Sequence, residues 1–244
     1  MSASRVQGAS TAQCAPLPAG LVEEFQENGF ALVPGVVTRE LIVGLRAEAE
    51  RLLIESDERG GARNALANST LFRGLAASGP IAEVARQVLG ADAIATKLTI
   101  FDKSPLANWK VPWHQDLTIR VRERFDVPGF GPWSIKDGEP HVQPPVSLLE
   151  RILAVRLHLD DTPADNGALR VIPGSHRLGR VTAEEIAALR RERSEVLCPV
   201  GAGGAMLMSP LLLHASSVAA KPSRRRVAHY ECCATSLPGP LAWS

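Results

Sequence analysis

The hydrophobic period of this chain changes once, at Gly90, and that change constrains the fold more than any other feature. Before Gly90 apolar residues recur at helical spacing, and after it they alternate with polar ones at period two. In residues 38–55, Leu41, Ile42, Leu45, Ala49, Leu52 and Leu53 form one stripe, and Thr38 is placed to cap the helix. A shorter helix is expected over 21–28, closed by Gly29. A third opens at Pro80, turns Ile81, Val84, Ala85, Val88 and Leu89 inward, and ends at Gly90. Residues 93–101 then set Ile94, Thr96, Leu98 and Ile100 against Ala95, Lys97, Thr99 and Phe101, which predicts a strand. Further strands are expected at 152–160, 168–172, 195–200, 205–213 and 226–234, with a turn at Asp165-Asn166-Gly167 and a capping-box helix from Thr182 to about Arg193. Helices followed by strands is the order of an α+β chain whose sheet part is a sandwich or barrel.

Between the strand signals, Asp102 to about Leu149 carries seven prolines and reads as a long irregular loop, a candidate lid. The opening segment, rich in Ser, Ala and Gln and without a hydrophobic run, is no secretory signal and reads as a disordered leader over residues 1–18. The remainder, 19–244, is expected to be a single domain with a helical part over about 20–90 and a sheet part over about 91–244. Lys and Arg number 27 against 26 Asp and Glu, a net charge of +1, so neither nucleic acid nor an anionic membrane is an expected partner. No apolar stretch approaches the roughly 18–20 residues that span a bilayer. The four cysteines, at 14, 198, 232 and 233, make no Cys-x-x-Cys. A reducing, cytoplasmic setting with buried thiols is the simpler expectation.

Chemistry concentrates in Pro112-Trp113-His114-Gln115-Asp116. On an extended strand, side chains two apart share a face, so His114 and Asp116 offer an imidazole and a carboxylate to one metal ion. A third ligand would complete one face of an octahedron, the two-His-one-carboxylate arrangement of non-haem Fe(II) oxygenases. His214 ends an apolar run and is either that ligand or a satisfied core histidine. Arg225 follows eleven positions later on the next strand signal, suited to a bidentate grip on the remote carboxylate of a keto-diacid, and Ser216 is placed to donate to the same group. Of the run Arg224-Arg225-Arg226, the other two are expected in a solvated turn.

Over nearly its whole length after the leader, the chain resembles the phytanoyl-CoA dioxygenase family of Fe(II)- and 2-oxoglutarate-dependent oxygenases. The resemblance rests on Phe25-x-x-x-Gly29-Phe30, Trp113-His114-Gln115-Asp116, Asn166-Gly167 through Pro173-Gly174-Ser175-His176, and His214-Ala215-Ser216-Ser217 with Arg225. Bacterial small-molecule members share Phe101-Asp102-Lys103, Asn108-Trp109-Lys110 and Arg156-Leu157-His158-Leu159-Asp160. The resemblance implies a double-stranded β-helix (a jelly roll, cupin-like), with the N-terminal helices packed on one sheet. It implies His114, Asp116 and His214 as iron ligands and Arg225 with Ser216 as anchors for 2-oxoglutarate. It also implies an O2-dependent hydroxylation of a C–H bond that releases succinate and CO2. Related halogenases lack the aspartate, so Asp116 favours hydroxylation. Desaturation, cyclisation or epimerisation would use the same machinery, and a metal-binding sensor or isomerase is the reading from a different class.

Further residues are expected around the site. Lys97 and Thr99 share a strand face and are candidates for the co-substrate side of the cavity. Arg156, His158 and Asp160 share another face, either the barrel interior, where Arg156 and His158 would meet an anionic substrate or help orient the co-substrate, or the solvent side. Within the loop, Asn108, Trp109, Trp113, Trp133, Lys136, His141 and Gln143 are placed to meet a substrate, with Trp133, Asn108 and Gln143 preferred. His176 and His229 are expected to be structural. With no general field to steer a polyanion such as CoA, a free small molecule is the expected substrate.

Overall fold

A computed structural model describes residues 16–56, 60–104, 107–136 and 138–244. Most of the expected leader, and Cys14 with it, lies outside the described residues. Helix α1 (Leu21–Asn28) closes at Gly29, whose φ of 80° suits glycine. Space there also excludes a side chain, because a Cβ on Gly29 would lie 2.4 Å from His176 Nδ1. The chain continues into β1 (Phe30–Val33) and then α2 (Arg39–Glu55), where the Thr38 hydroxyl accepts from the Leu41 amide. Next come β2 (Gly61–Ala62), α3 (Ala65–Asn68), α4 (Thr70–Ala77) and α5 (Pro80–Leu89).

The sheet region begins with β3 (Ile94–Lys103), followed by β4 (Val111–His114), β5 (Ile119–Arg120), β6 (Trp133–Lys136), β7 (Glu139–Val142) and the short α6 (Val146–Leu149). After β8 (Ile152–His158) and β9 (Leu169–Val171) comes α7 (Ala183–Glu192), opened by the expected Thr182/Glu185 capping box. The chain ends through β10 (Val196–Cys198), β11 (Ala205–Met208), β12 (His214–Ser216) and β13 (Arg225–Cys233). A six-stranded sheet in the order β1-β11-β8-β13-β3-β2 and a four-stranded sheet in the order β10-β9-β12-β4 form the jelly roll, and their pairings are antiparallel. A third sheet, β5-β7-β6, stands beside them.

Strand alternation gives the six-stranded sheet two unlike faces. Leu98 and Ile100 of β3, Leu153, Val155 and Leu157 of β8, and Ala228 and Tyr230 of β13 turn one way, into a core with Leu45, Leu52, Phe72, Leu75, Ile81 and Val84 of the helices. Tyr230 fixes that packing by donating its buried hydroxyl to the Phe72 carbonyl at 3.1 Å. The opposite face carries Lys97, Thr99, Phe101, Lys103, Arg156, Arg225, His229 and Glu231, and these line a cavity. A sheet face this polar is enclosed only where it meets something polar.

Several elements depart from the sequence expectation. The part expected to be helical contributes two strands, because β1 pairs with β11 at one edge of the large sheet and β2 with β3 at the other. The stretch expected to be irregular, 102–149, contains β4, the whole third sheet and α6, held together by Ile119, Val142, Leu148 and Leu149 with Leu241 from the C-terminal segment. The expected strand 205–213 stops at Met208, since Pro210 has no amide to donate and the Leu212 amide turns back to the Ser209 carbonyl. His214 thereby starts a new strand in the other sheet. Cys198, Cys232 and Cys233 are buried free thiols, and burial pushes Cys232 up to about 12.

Candidate metal centre

Backbone pairing brings the candidate ligands together. In the four-stranded sheet β4 and β12 are antiparallel with His214 directly opposite His114, and the two rings lie 4.2 Å apart. Just past the end of β4 the Asp116 amide donates to the Pro210 carbonyl at 2.8 Å, which swings its carboxylate back toward both rings. The Asp116 oxygens stand 3.7 Å from His114 Nε2 and 3.8 Å from His214 Nε2. One ligand atom from each residue falls within 4.8 Å of the other two. Each histidine uses its other nitrogen on backbone, His114 Nδ1 at 2.9 Å from the Pro112 carbonyl and His214 Nδ1 at 3.0 Å from that of Leu212. A carbonyl can only accept, so Nδ1 carries the proton in both rings and the Nε2 lone pairs converge on the space beside Asp116.

Electrostatics suits a cation there. Burial pushes His214 down to about 4 against the pull of Asp116, so the ring is neutral at pH 7. Burial alone would raise Asp116, but His214, His229, His114 and Lys97 outweigh it and hold the carboxyl below its usual range. Two imidazoles and one carboxylate form the nitrogen and oxygen donor set that suits ferrous iron.

Strand β4 is held in place by Gln115, a residue the sequence reading left without a role. Its amide donates to the Gly179 carbonyl at 2.7 Å and the Leu211 carbonyl at 2.6 Å, and its oxygen accepts from the Val181 amide at 3.0 Å. Trp113, on the outward side, lies between the guanidinium groups of Arg170 and Arg190.

A cationic cluster stands in the same cavity. Arg225 is directly opposite Lys103 on β13 and β3, and both are buried. The Lys103 ammonium donates to Ser216 Oγ at 3.1 Å and the Ser217 carbonyl at 3.0 Å. Ser216 donates on to the Gly167 carbonyl at 2.8 Å, and Arg225 donates to that same carbonyl. Gly167, expected only to shape a turn, sits at φ +70°, and a Cβ there would lie 3.2–3.4 Å from Ser217, Lys103 and Ser216, so it serves the cluster as well. Arg225 Nε is buried with no partner. Burial and the nearby Arg156 bring Arg225 down to about 10, while burial and Arg225 bring Lys103 down to about 8.

Of the remaining candidates, Lys97, Thr99 and Arg156 line the cavity, Lys97 as an ion pair with Glu231 at 2.7 Å. His158 does not line it. It is buried in a hydrogen bond with Thr162 at 2.7 Å. Asp160 faces away, paired with Arg226 at 2.8 Å and Arg46 at 3.0 Å. Arg226, expected with Arg224 in a solvated turn, is instead partly buried in that ion pair, while Arg224 is exposed before β13 and pairs with Asp102 at 3.0 Å. Asn108 closes its loop on both backbone groups of Ala219, Trp133 packs in the third sheet beneath Arg124, and Gln143 accepts from the Gly131 amide through its own carbonyl. None of the three lines the cavity, whereas Trp109 of the same loop does. His176 holds α1 through the Gln26 carbonyl, and His229, expected to be structural, faces the cavity. Lys103 and His229 continue the period-two rows through Thr99 and Arg225, and Lys103 also falls in the shared Phe101-Asp102-Lys103.

Comparison with known proteins places these residues in context. The profile of the phytanoyl-CoA dioxygenase family (PhyH) matches residues 25–227. An ectoine dioxygenase of Stutzerimonas stutzeri is 28% identical over 177 residues, 67% of this chain and 52% of that enzyme. The chain thus spans about half the length of that curated relative. Among solved structures, the epimerase SnoN in complex with Fe3+, alpha ketoglutarate and nogalamycin RO superposes with a TM-score of 0.68 at 20% identity, over 90% of each chain. EctD from S. alaskensis with 2-oxoglutarate and 5-hydroxyectoine gives 0.69 at 22% identity, over 90% of this chain and 77% of that one. At these identities the likeness is one of fold.

Proposed function

Because the chain belongs to the phytanoyl-CoA dioxygenase family of Fe(II)- and 2-oxoglutarate-dependent oxygenases, we propose that it hydroxylates a C–H bond of a small molecule with conversion of 2-oxoglutarate to succinate and CO2. The observation that carries this reading is the meeting of three ligand atoms within 4.8 Å in a cavity that also holds the buried Arg225, whose Nε has no partner. A metal-binding sensor or isomerase has no need of such an anchor.

The residues fit the group they would hold. His114, Asp116 and His214 would bind Fe(II) on one face and leave the opposite positions for co-substrate and O2. Iron bound there with 2-oxoglutarate supplies the oxidising power, and the protein supplies geometry and a dry pocket. Arg225 and Ser216 hold the remote carboxylate of 2-oxoglutarate, with Lys103 adding charge on the same side. Thr99 and the Lys97–Glu231 pair line the same cavity. Asp116 keeps a ligand position that a halide would otherwise need, which supports hydroxylation over halogenation. The presence of 5-hydroxyectoine in a structure of the same fold is consistent with that choice. The cavity of about 200 Å3 is the one that iron and 2-oxoglutarate would enter.

The test is aerobic turnover with 2-oxoglutarate labelled at C1. Fe(II)-dependent release of labelled CO2 with matching succinate is expected, falling to background in His114→Ala and Asp116→Ala. Iron binding without succinate formation would instead favour the sensor or isomerase.

A further inference from the structure

We propose that Arg156 is the anchor for a carboxylate on the substrate, so that the molecule this protein oxidises is a small carboxylic acid. The inference rests on the oxygenase reading for the word oxidises, but its structural basis is separate.

Arg156 lies on β8 between Val155 and Leu157, which turn into the helix-side core, and it projects the other way into the cavity. It is 7% exposed. Burying a guanidinium costs several kcal/mol unless its donors and charge are matched. One Nη donates to His229 Nδ1 at 2.9 Å, and Nε is buried without a partner. Among the described residues no carboxylate forms a salt bridge with it. Because His229 Nδ1 accepts that bond, the ring holds the guanidinium in one orientation and contributes no charge of its own. The Phe101 ring lies 5.7 Å from the guanidinium carbon on one side of the group, which lines the cavity.

A charge balance over the cavity leads to the same residue. Lys97, Lys103, Arg156 and Arg225 line it, against Asp116 and Glu231, an excess of two positive charges. Lys97 and Glu231 cancel each other. Ferrous iron and the 2-oxoglutarate dianion are together neutral, so filling the co-substrate site leaves the excess in place. Arg225, Lys103 and Ser216 are grouped at one end, where they hold the co-substrate carboxylate. Arg156 is aligned across the sheet with His229, four residues along β13 from Arg225, a backbone separation of roughly 13 Å at about 3.3 Å per residue. The Arg225 guanidinium is engaged by the Gly167 carbonyl, whereas that of Arg156 is engaged by His229. Arg156 carries one of the two charges in excess, and a guanidinium suits a carboxylate through charge-assisted hydrogen bonds.

The experiment uses the full chain, anaerobic and saturated with Fe(II) and 2-oxoglutarate, and paired probes that differ only in charge: benzoate and benzamide, proline and prolinamide, hexanoate and hexanamide. Binding is read by thermal shift and by perturbation of the iron–keto-acid visible band. At least one acid should bind tenfold or more tightly than its amide. Arg156→Gln should reduce that acid to the level of its amide, and Arg156→Lys should retain part of the preference. Both variants should bind 2-oxoglutarate within threefold of the wild type, which also shows that they are folded. Three results would each overturn the proposal: no acid preferred over its amide in the wild type, a preference that survives Arg156→Gln, or a tenfold loss of 2-oxoglutarate binding in that variant. The wild-type comparison needs no variant to fold. Failure of the oxygenase reading shows differently, as absence of the visible band in the wild type, and acid-over-amide selectivity by thermal shift still reports on Arg156 in that case.

Discussion

Lys103 is buried, carries an ammonium beside a second cation, and titrates at about 8 as a result of burial and of Arg225. Its charge should therefore help to hold 2-oxoglutarate at pH 7 and be lost on mild alkalinisation. The affinity for 2-oxoglutarate, followed by equilibrium titration, is expected to fall as pH rises through about 8, and Lys103→Met should remove that step. Linkage gives stability the opposite sign. The unfolded chain keeps the proton up to the ordinary lysine range, so the depressed native value makes this group's contribution more favourable between about 8 and that range. Arg225→Ala should cost the co-substrate about 1.5–3 kcal/mol, roughly a ten- to hundredfold rise in Kd, as expected for a bond to a charged group. At this scale the sequence was partly legible. The spacing of His114 and Asp116 is a local geometric signal, whereas the choice of Arg225 out of Arg224-Arg225-Arg226 rests on the family resemblance. Which way Asn108, Trp133, Gln143 and His158 face depends on partners such as Ala219, Arg124 and Thr162. No period in the chain encodes those contacts.

Strand β4 shows how one side chain sets an element. It pairs with β12 along one edge only, and Gln115 replaces the missing neighbour by tying it to Gly179, Leu211 and Val181. Gln115→Leu leaves those backbone groups unpaired and should destabilise the protein by about 2–4 kcal/mol, a fall of roughly 5–15 °C in Tm. The same change should weaken iron binding by about ten- to a hundredfold, as loss of support behind metal ligands does, measurable by competition with a chelator. Elements with local punctuation were readable in advance: Thr38 before α2, Pro80 and Gly90 around α5, and the capping box of α7. Those defined by distant partners were not. The four residues of β1 become a strand by pairing with β11, far along the chain, and the short strands of the third sheet are obscured by Pro132 and Pro140.

The whole molecule separates support from chemistry across one sheet. Its helix-facing side is apolar and continuous with α2, α4 and α5, and its other side carries the charged lining of the cavity. Phe72→Ala, in the helix-side core, should cost about 3–5 kcal/mol while leaving iron and 2-oxoglutarate affinity of the folded protein unchanged, read by thermal denaturation beside ligand titration. Arg225→Ala should show the reverse pattern. Among the described residues no helix is long and apolar enough to cross a membrane. The central claim is that one cavity holds both a ferrous ion on His114, Asp116 and His214 and a keto-acid on Arg225. Anaerobic titration of the purified protein with Fe(II) and then 2-oxoglutarate tests it most directly, through the visible metal-to-ligand charge-transfer band. A saturable band is predicted, absent in His114→Ala and shifted to higher 2-oxoglutarate concentration in Arg225→Ala. A folded wild-type protein that binds iron and develops no band would contradict it.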